Sequence, residues 1–377
     1  MATGKTGIVL DPCFMNHKTV LGCPECPDRL KGLFPVIKES PLNKFLTLIP
    51  SVPATIFELL QVHSADYLDR LKATEGGRPL MLDEDTCTSG DSYSTAMIAA
   101  GGLCKAVDAV CEGIVDNAFA LVRPPGHHAE RNASMGFCLY NNIAVAARHA
   151  QKMRGLERVL IVDWDLHHGN GTQHCFENDP TVLFFSTHLQ WIFPGSGGFS
   201  EKGAGAGVGY SVNVPLQRGF GDAEYITVYE KLLEPIVTVF KPSIILVSAG
   251  FDIHRDDPMG AMNLTEDGFA GLTAILLRIA AQSCGGKLVM VLEGGYNPSA
   301  LEKSVREVLK ELTGLRHTDT QRLSTPVNTE GVHDVLRRVI KVHRGSWPVL
   351  LNSLPPPATT GGRIMSALSN CWNFMRG

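Results

Sequence analysis

A single α/β domain, with a mainly parallel β-sheet flanked by helices on both faces, is the fold class this sequence predicts. Three observations carry it. Apolar runs of strand length alternate with helix-period segments along most of the chain, as in successive βαβ units. The strand runs are unbroken, as in Val159-Leu-Ile-Val162 and Leu288-Val-Met-Val-Leu292, which is how strands covered on both faces read. Polar and glycine-rich residues break out at the carboxyl ends of these runs, where open α/β sheets bind ligands.

In chain order, residues 7–10 read as a first strand. Cys26-Pro27-Asp28 then opens a helix with Leu30, Leu33, Val36 and Ile37 on one face, and a second apolar-periodic segment covers 54–71. Residues 76–94 have loop composition, with Asp83-Glu84-Asp85 at their centre, and a helix follows over 96–115. The strand 117–122 runs into Arg123-Pro-Pro-Gly-His-His-Ala-Glu130. A helix over 144–153 leads to the strand that begins at Val159, and a strand over 181–186 ends in Ser186-Thr187-His188. Trp191 to Gly198 is an aromatic-bearing loop. The run GAGAGVG at 203–209 looks like a phosphate cradle, but it precedes the strand 210–214 instead of joining a strand to a helix, so it reads as a flexible surface loop. An amphipathic helix over 224–240 precedes the strand 243–248, which ends in Ala249-Gly-Phe-Asp252. Thr265 is expected to cap the helix running to Ala281, and the strand over 287–292 is followed by Glu293-Gly-Gly-Tyr296. Residues 1–350 are read as one domain. Residues 351–377 read as a linker, with Pro355-Pro-Pro357 and Gly361-Gly362, and an amphipathic segment. Its stripe of Ile364, Leu368, Trp372 and Met375 is expected to dock on its own domain or on a second copy in a homo-oligomer.

Composition narrows the function. The chain has 377 residues and a formal net charge of −4, which argues against direct nucleic-acid binding. The start of the chain lacks the apolar core of a signal peptide, and no run of about 18 apolar residues suggests a membrane span. The 10 cysteines lack framework spacing and fit a reducing compartment. Cys23-Pro24-Glu25-Cys26 reads as a loop, since no second pair stands at zinc spacing. A cytoplasmic location follows as the expectation.

The chemistry gathers around Arg158 to Thr172. Alternate side chains of an extended chain share a face, so Asp163, Asp165 and His167 can converge at one strand end, with the turn His168-Gly-Asn-Gly171 following at once. Asp252 ends another strand. Asp165, His167 and Asp252 together make a three-ligand site with one open position, suited to zinc but also to ferrous iron or manganese. Such a metal acidifies bound water and polarises a carbonyl. The adjacent His127 and His128 cannot share a face, so each needs its own partner; one is the candidate general base, and Asp163 can orient one of the rings. Tyr296 can donate a hydrogen bond to an oxyanion. These parts fit metal-assisted amide hydrolysis.

RPPGHHAE, GFCLYNN, DWDLHHGNGTQ, SAGFD and LEGGYN, in this order, resemble the zinc-dependent histone deacetylase family of the arginase/deacetylase fold, over about residues 5–345. Asn170 and Glu293 mark the resemblance as class II-like, close to bacterial histone deacetylase-like amidohydrolases. It implies one zinc per chain on Asp165, His167 and Asp252, with His128 as general base and acid. His127 would be its electrostatic neighbour paired with Asp163, and Tyr296 would polarise the carbonyl. Phe137, Phe193 and Gly136 would line the acyl-lysine tunnel, and Asp85 would bind the substrate backbone at the rim. Structural potassium, one or two ions, is implied at Asp163, Asp165, His167, Ser186 and Thr187, and at Phe176, Asp179, Val182 and Tyr210.

Three positions depart from the family pattern. Cys23 stands where the N-terminal motif usually has histidine. Met259 stands where polyamine-selective relatives carry a glutamate, which favours acyl-lysine in proteins or peptides over small acylated amines. His254 follows Asp252 where the related ureohydrolases place a second metal-binding acid. An acyl-lysine binding module without turnover is the alternative of another class, and the intact ligand set with Tyr296 speaks against it.

Overall fold

The computed structural model describes residues 4–355. Its strands, in chain order, are β1 (Thr6–Val9), β2 (Leu46–Leu48), β3 (Leu80–Met81), β4 (Cys87–Thr88), β5 (Asn117–Ala120), β6 (Val159–Asp163), β7 (Val182–Leu189), β8 (Ser211–Leu216), β9 (Ile244–Ala249) and β10 (Leu288–Leu292). Eight of them form one sheet in the order β2-β1-β5-β10-β9-β6-β7-β8, with every pairing parallel. The expected α/β class is what the structure has. β3 and β4 form a separate antiparallel pair inside the segment read as a polar loop.

The order of strands positions the site. β5, β10, β9 and β6 are consecutive in the sheet although long stretches of chain separate most of them. All four run the same way, so the polar segments after Ala120, Leu292, Ala249 and Asp163 open on one edge. A parallel sheet must be covered on both faces because its crossover helices lie there. Val159, Leu160, Ile161 and Val162 are accordingly fully buried. The helices Ser92–Cys111 and Asn142–Arg154 pack on each other, as do Glu266–Ser283 and Pro298–Leu312.

Several local expectations need correction. The helix beginning at Asp28 breaks into Asp28–Lys31 and Leu33–Val36, because Pro35 has no N–H and its ring opposes a continuous helix. Leu30, Leu33 and Val36 still share the core, while Ile37 is only partly covered. The segment 54–71 also divides, because Ser64 starts a new helix (Ala65–Lys72) by accepting from Tyr67 N–H. Thr265 occupies the N-cap position, but its hydroxyl donates to Asp222 Oδ2 at 2.7 Å instead of capping. The helix expected over 224–240 starts at Asp222 and passes through a π-turn at Tyr229–Leu233.

The glycine run 203–209 is exposed over Ala204–Ala206, as a surface loop would be, but its other glycines are closely packed. A Cβ on Gly207 would lie 2.3 Å from the Glu177 carbonyl oxygen, and one on Gly209 would lie 2.2 Å from Ser346 Oγ. Glycine is there for close approach of backbones. The helix Ser92–Cys111 is long and apolar enough to span a membrane by length and composition alone, but it is mostly buried within the protein. The stripe Ile364, Leu368, Trp372 and Met375 lies outside the described residues, as does most of the linker before it.

Candidate active site and metal centre

Asp165 and His167 leave the end of β6, and Asp252 follows β9, the neighbouring strand. Each of the three offers a donor atom within 4.8 Å of the other two. His167 Nδ1 stands 3.2 Å from Asp165 Oδ1 and 3.2 Å from Asp252 Oδ2. The backbone orients both carboxylates: Leu166 N–H donates to Asp252 Oδ1 at 2.9 Å, and Gly294 N–H to Asp165 Oδ2 at 2.8 Å. Sequence reasoning missed two residues of this cradle. A Cβ on Gly250 would lie 2.1 Å from Asp165 Oδ2, and one on Gly294 would lie 2.4 Å from Asp252 Oδ2, so both positions require glycine. The glycines of SAGFD and LEGGYN were the available signal.

Two buried carboxylates and one imidazole facing one point fit a small divalent cation held by hard donors. The charges agree. Burial opposes protonation of His167, but its bonds to Asp165 and Asp252 push it up to about 10. Burial and the nearby Asp165 carboxylate raise Asp252 to about 7. The excess negative charge therefore draws a cation, proton or metal, into the centre. His254 lies outside this group; its Nδ1 accepts from Asp256 N–H at 3.0 Å.

Glu58, Cys104 and His149 also cluster within donor range. That group is already neutralised. His149 bridges Glu58 at 2.8 Å and Asp108 at 2.6 Å, and Asp108 also meets Arg154 and Lys105. Burial pushes the Cys104 thiol well up. It is a structural ion network.

The two histidines do have separate partners. His127 Nδ1 lies 3.0 Å from Asp163 Oδ2, and His128 Nδ1 lies 2.7 Å from Asn170 Oδ1. Burial disfavours the charged form of His127, but Asp163, Asp165 and Glu293 outweigh it and push the ring up to about 10. His128 goes the other way: burial, then the positive His127 and His167, hold it well below the usual range. Asp163 therefore favours the charged form of one ring, while burial and its neighbours favour the neutral form of the other. Glu293 anchors the loop beneath them, accepting from Gly126 N–H at 2.6 Å, His127 N–H at 3.2 Å and Ser248 Oγ at 2.9 Å.

Tyr296 is held in place from two sides. Its N–H donates to Asp257 Oδ2 at 2.6 Å, and the Arg29 guanidinium lies 4.9 Å from its ring centroid. Burial and the nearby Asp252 and Asp165 carboxylates push its phenol well above the usual range, so it remains a donor. Arg29 itself is buried and donates to the Gly295 and Glu293 carbonyls and to Glu25. Glu25 also binds Arg123. This buried network was not legible as a unit, since its members lie on distant segments.

Phe193 packs edge-on to His128 with centroids 5.1 Å apart, and Phe137 meets Tyr296 edge-on at 6.0 Å. Gly136 has φ +55, and a Cβ there would strike the His128 ring at 2.4 Å. Asp85 braces the loop that carries Gly136, since its Oδ1 accepts from Gly136 N–H at 3.1 Å and from Thr86 Oγ1 at 2.8 Å. Met259 is 40% exposed, and its N–H donates to Asp257 Oδ1 at 2.9 Å. Cys23 and Cys26 carry free thiols.

Of the first group implied for potassium, Asp163, Ser186 and Thr187 lie on the adjacent strands β6 and β7. Asp163 pairs with Ser186 across β6 and β7, and Thr187 Oγ1 lies 3.4 Å from the Asp163 carbonyl. Ser186 and Thr187 lie within β7, not beyond its end, because the strand continues to Leu189. In the second group the Phe176 carbonyl accepts from Asp179 N–H, the Asp179 carbonyl from Val182 N–H, and the Tyr210 carbonyl from Phe184 N–H. Arg148 Nη1 meets Asp179 Oδ2 at 2.6 Å.

Comparison with known proteins bears on family and fold. The histone deacetylase domain matches residues 23–312. Histone deacetylase HDA1 of Candida albicans is 37% identical over 385 residues, which cover 93% of this chain and 45% of that protein. The polyamine deacetylase HDAC10 of Danio rerio is 38% identical over 333 residues, covering 83% of this chain and 48% of its own length. The chain thus spans about half the length of these two relatives. A crystal structure of the HDA15 HD domain superposes with a TM-score of 0.86 at 37% identity, covering 93% of this chain and 98% of that one.

Proposed function

The chain belongs to the histone deacetylase family, and we propose that it hydrolyses the amide of acetyl-lysine in proteins or peptides, with one zinc ion held by Asp165, His167 and Asp252. One observation carries this reading: two buried carboxylates and a largely buried imidazole offer donors within 4.8 Å of one another, beside one histidine paired with a carboxylate and one paired with an amide. When bound, the zinc supplies Lewis acidity that polarises the scissile carbonyl and acidifies a water.

The protein groups do the rest. His128 is bound to Asn170 through Nδ1, which leaves Nε2 to take a proton from the attacking water and return it to the leaving amine. His127, kept charged by Asp163, stabilises the negative charge that develops on the carbonyl oxygen. Tyr296 donates to that same oxygen. Phe137 and Phe193, with Gly136 between them and the histidines, grip the methylene stem. Asp85 supports this wall by holding the Gly136 N–H. The potassium ions are proposed as structural, with Asp163, Asp165, His167, Ser186 and Thr187 around one and Phe176, Asp179, Val182 and Tyr210 around the other.

Met259 bears on the choice of substrate. Its thioether offers no counter-charge to a polyamine, so a cationic small amine loses its anchor at the rim. The test is zinc-loaded enzyme with an acetyl-lysine peptide and with acetylputrescine at equal concentration. Faster turnover of the peptide is the expected result. Faster turnover of acetylputrescine would overturn the substrate assignment, and peptide binding without turnover would make the protein an acyl-lysine binding module.

A further inference from the structure

Building on the reading of His128 as general base, we propose that Glu130 is a positioning residue that dictates, through Asn170, which ring nitrogen of His128 carries the proton. His128 Nδ1 lies 2.7 Å from Asn170 Oδ1. Asn170 Nδ2 donates to Glu130 Oε1 at 2.5 Å, with the His128 carbonyl oxygen and Met135 Sδ each 3.4 Å away. Glu130 Oε1 is held in turn by His174 Nδ1 at 2.9 Å, on the half-exposed His174 side chain. A hydrogen-bonded chain therefore runs from the buried base to solvent.

Asparagine is the weak point of this chain. Its amide has a donating and an accepting end of nearly the same shape, and only the partners decide which way it faces. Turned one way it accepts from His128 Nδ1–H and leaves Nε2 with a free lone pair. Turned the other way it donates to Nδ1, places the proton on Nε2 and abolishes the base. Three acceptors surround the far end: the Glu130 carboxylate, the His128 carbonyl and the Met135 thioether. The carboxylate is the strongest of them, since charged acceptors make hydrogen bonds about twice as strong as neutral ones. Reversal would set Asn170 Oδ1 against Glu130 Oε1. His127 needs no such device, because Asp163 accepts in either orientation. A merely structural Glu130–His174 surface pair would be worth at most about 1 kcal/mol and would have no hold on the active site.

The proposal is tested on the full-length zinc-loaded protein labelled with 15N-histidine. Proton–nitrogen correlation spectra distinguish the two tautomers, and the His128 resonances are those missing from His128→Gln. The wild type should show the Nδ1–H form. Glu130→Gln offers Asn170 either a donor or an acceptor, so the Nε2–H form should appear. With an acetyl-lysine peptide, kcat should fall about tenfold with KM within about twofold, a partial version of the roughly 10⁴-fold loss seen when a triad histidine holds the wrong tautomer. Glu130→Ala, which removes the acceptor outright, is the second variant and should give the same two readouts. In an Asn170→Asp background both carboxylate oxygens accept, so Glu130→Gln should leave the Nδ1–H form in place and cost nothing. An unchanged tautomer with wild-type kcat would overturn the proposal, and so would an equal cost in both backgrounds. If the peptide is not a substrate, the tautomer shift is still read, so failure of the substrate assignment and failure of this inference are distinguishable.

Discussion

Gly294 N–H donates to Asp165 Oδ2 at 2.8 Å, and the glycine has no side chain because both metal-facing carboxylates lie where one would be. A Cβ at this position would stand 2.6 Å from Asp165 Oδ2 and 2.4 Å from Asp252 Oδ2. Gly294→Ala should therefore push both carboxylates aside and weaken zinc binding about 10- to 100-fold, the range for disturbing the supports of metal ligands. Zinc content measured after dialysis against a graded chelator checks it. Wild-type retention would mean that the two strand ends can spread without cost.

Removing the Tyr296 phenol removes one oxyanion donor. Tyr296→Phe should lower kcat by about 10²- to 10³-fold with little change in KM. Steady-state kinetics on an acetyl-lysine peptide decide it, and near-normal kcat would take Tyr296 out of the mechanism.

Arg29 holds the Tyr296 turn through the Gly295 and Glu293 carbonyls and is itself buried beside Glu25. Arg29→Met should cost about 3–5 kcal/mol of stability, because part of the charge balance around Glu25 is lost in the interior. Chemical denaturation of the zinc-loaded protein would show the loss. A change below about 1 kcal/mol would mean that Arg123 alone satisfies Glu25.

Met259→Glu should raise the preference for acetylputrescine over an acetyl-lysine peptide by about fivefold, the upper end for a partly exposed ion pair. The ratio of the two kcat/KM values is the measurement. No change in that ratio would show that the rim at Met259 does not meet the substrate's amine.

Two sets of buried groups should lose their contribution to stability as the solution is acidified, each in its own window. Burial holds His17, His63 and His343 down to about 4, from 6.5 in the unfolded chain. Between pH 6.5 and 4 the unfolded chain binds more protons, so the stability these neutral rings contribute is complete above 6.5 and is lost as pH falls to 4, up to about 3 kcal/mol for each. Burial would raise Glu25, but Arg123, His17 and Arg29 outweigh it and bring it to about 2, from 4.5. Its contribution is complete above 4.5 and is lost as pH falls to 2. Asp252 and Glu293, raised to about 7 by burial, act in the opposite sense over the same range, so the histidine contribution is read as a difference. The denaturant midpoint of His343→Leu relative to wild type should rise as pH falls from 6.5 to 4, and a constant difference would contradict the neutral state of that buried ring.

Much of this protein was legible in one dimension. Val159 to Val162 announced a buried strand because four consecutive apolar residues leave no face for water. Asp165 and His167 read as candidate ligands from their spacing, although β6 ends at Asp163 and both stand in the bend beyond it instead of on an alternating strand face. The parallel α/β class followed from the alternation of such strands with helices, and the ordered motifs carried the family. Local punctuation was harder to read. Pro35 and Ser64 split expected helices, and Gly203, Gly207 and Gly209 served close packing in place of mobility, since a glycine looks the same in either use.

The tertiary structure decided what depends on strand order and backbone approach. No local pattern places β10 between β5 and β9, yet that order brings Gly294 under both carboxylates and Glu293 under the histidine loop. The sequence determined which side chains can bind a metal or move a proton, because those are properties of residue type. Partnership was decided in space: Asp163 with His127, Asn170 with His128, and Glu130 behind Asn170. The reason is physical. A histidine's charge and tautomer are set by whatever lies within hydrogen-bond reach, and residues up to 42 positions apart come within that reach only when the sheet closes.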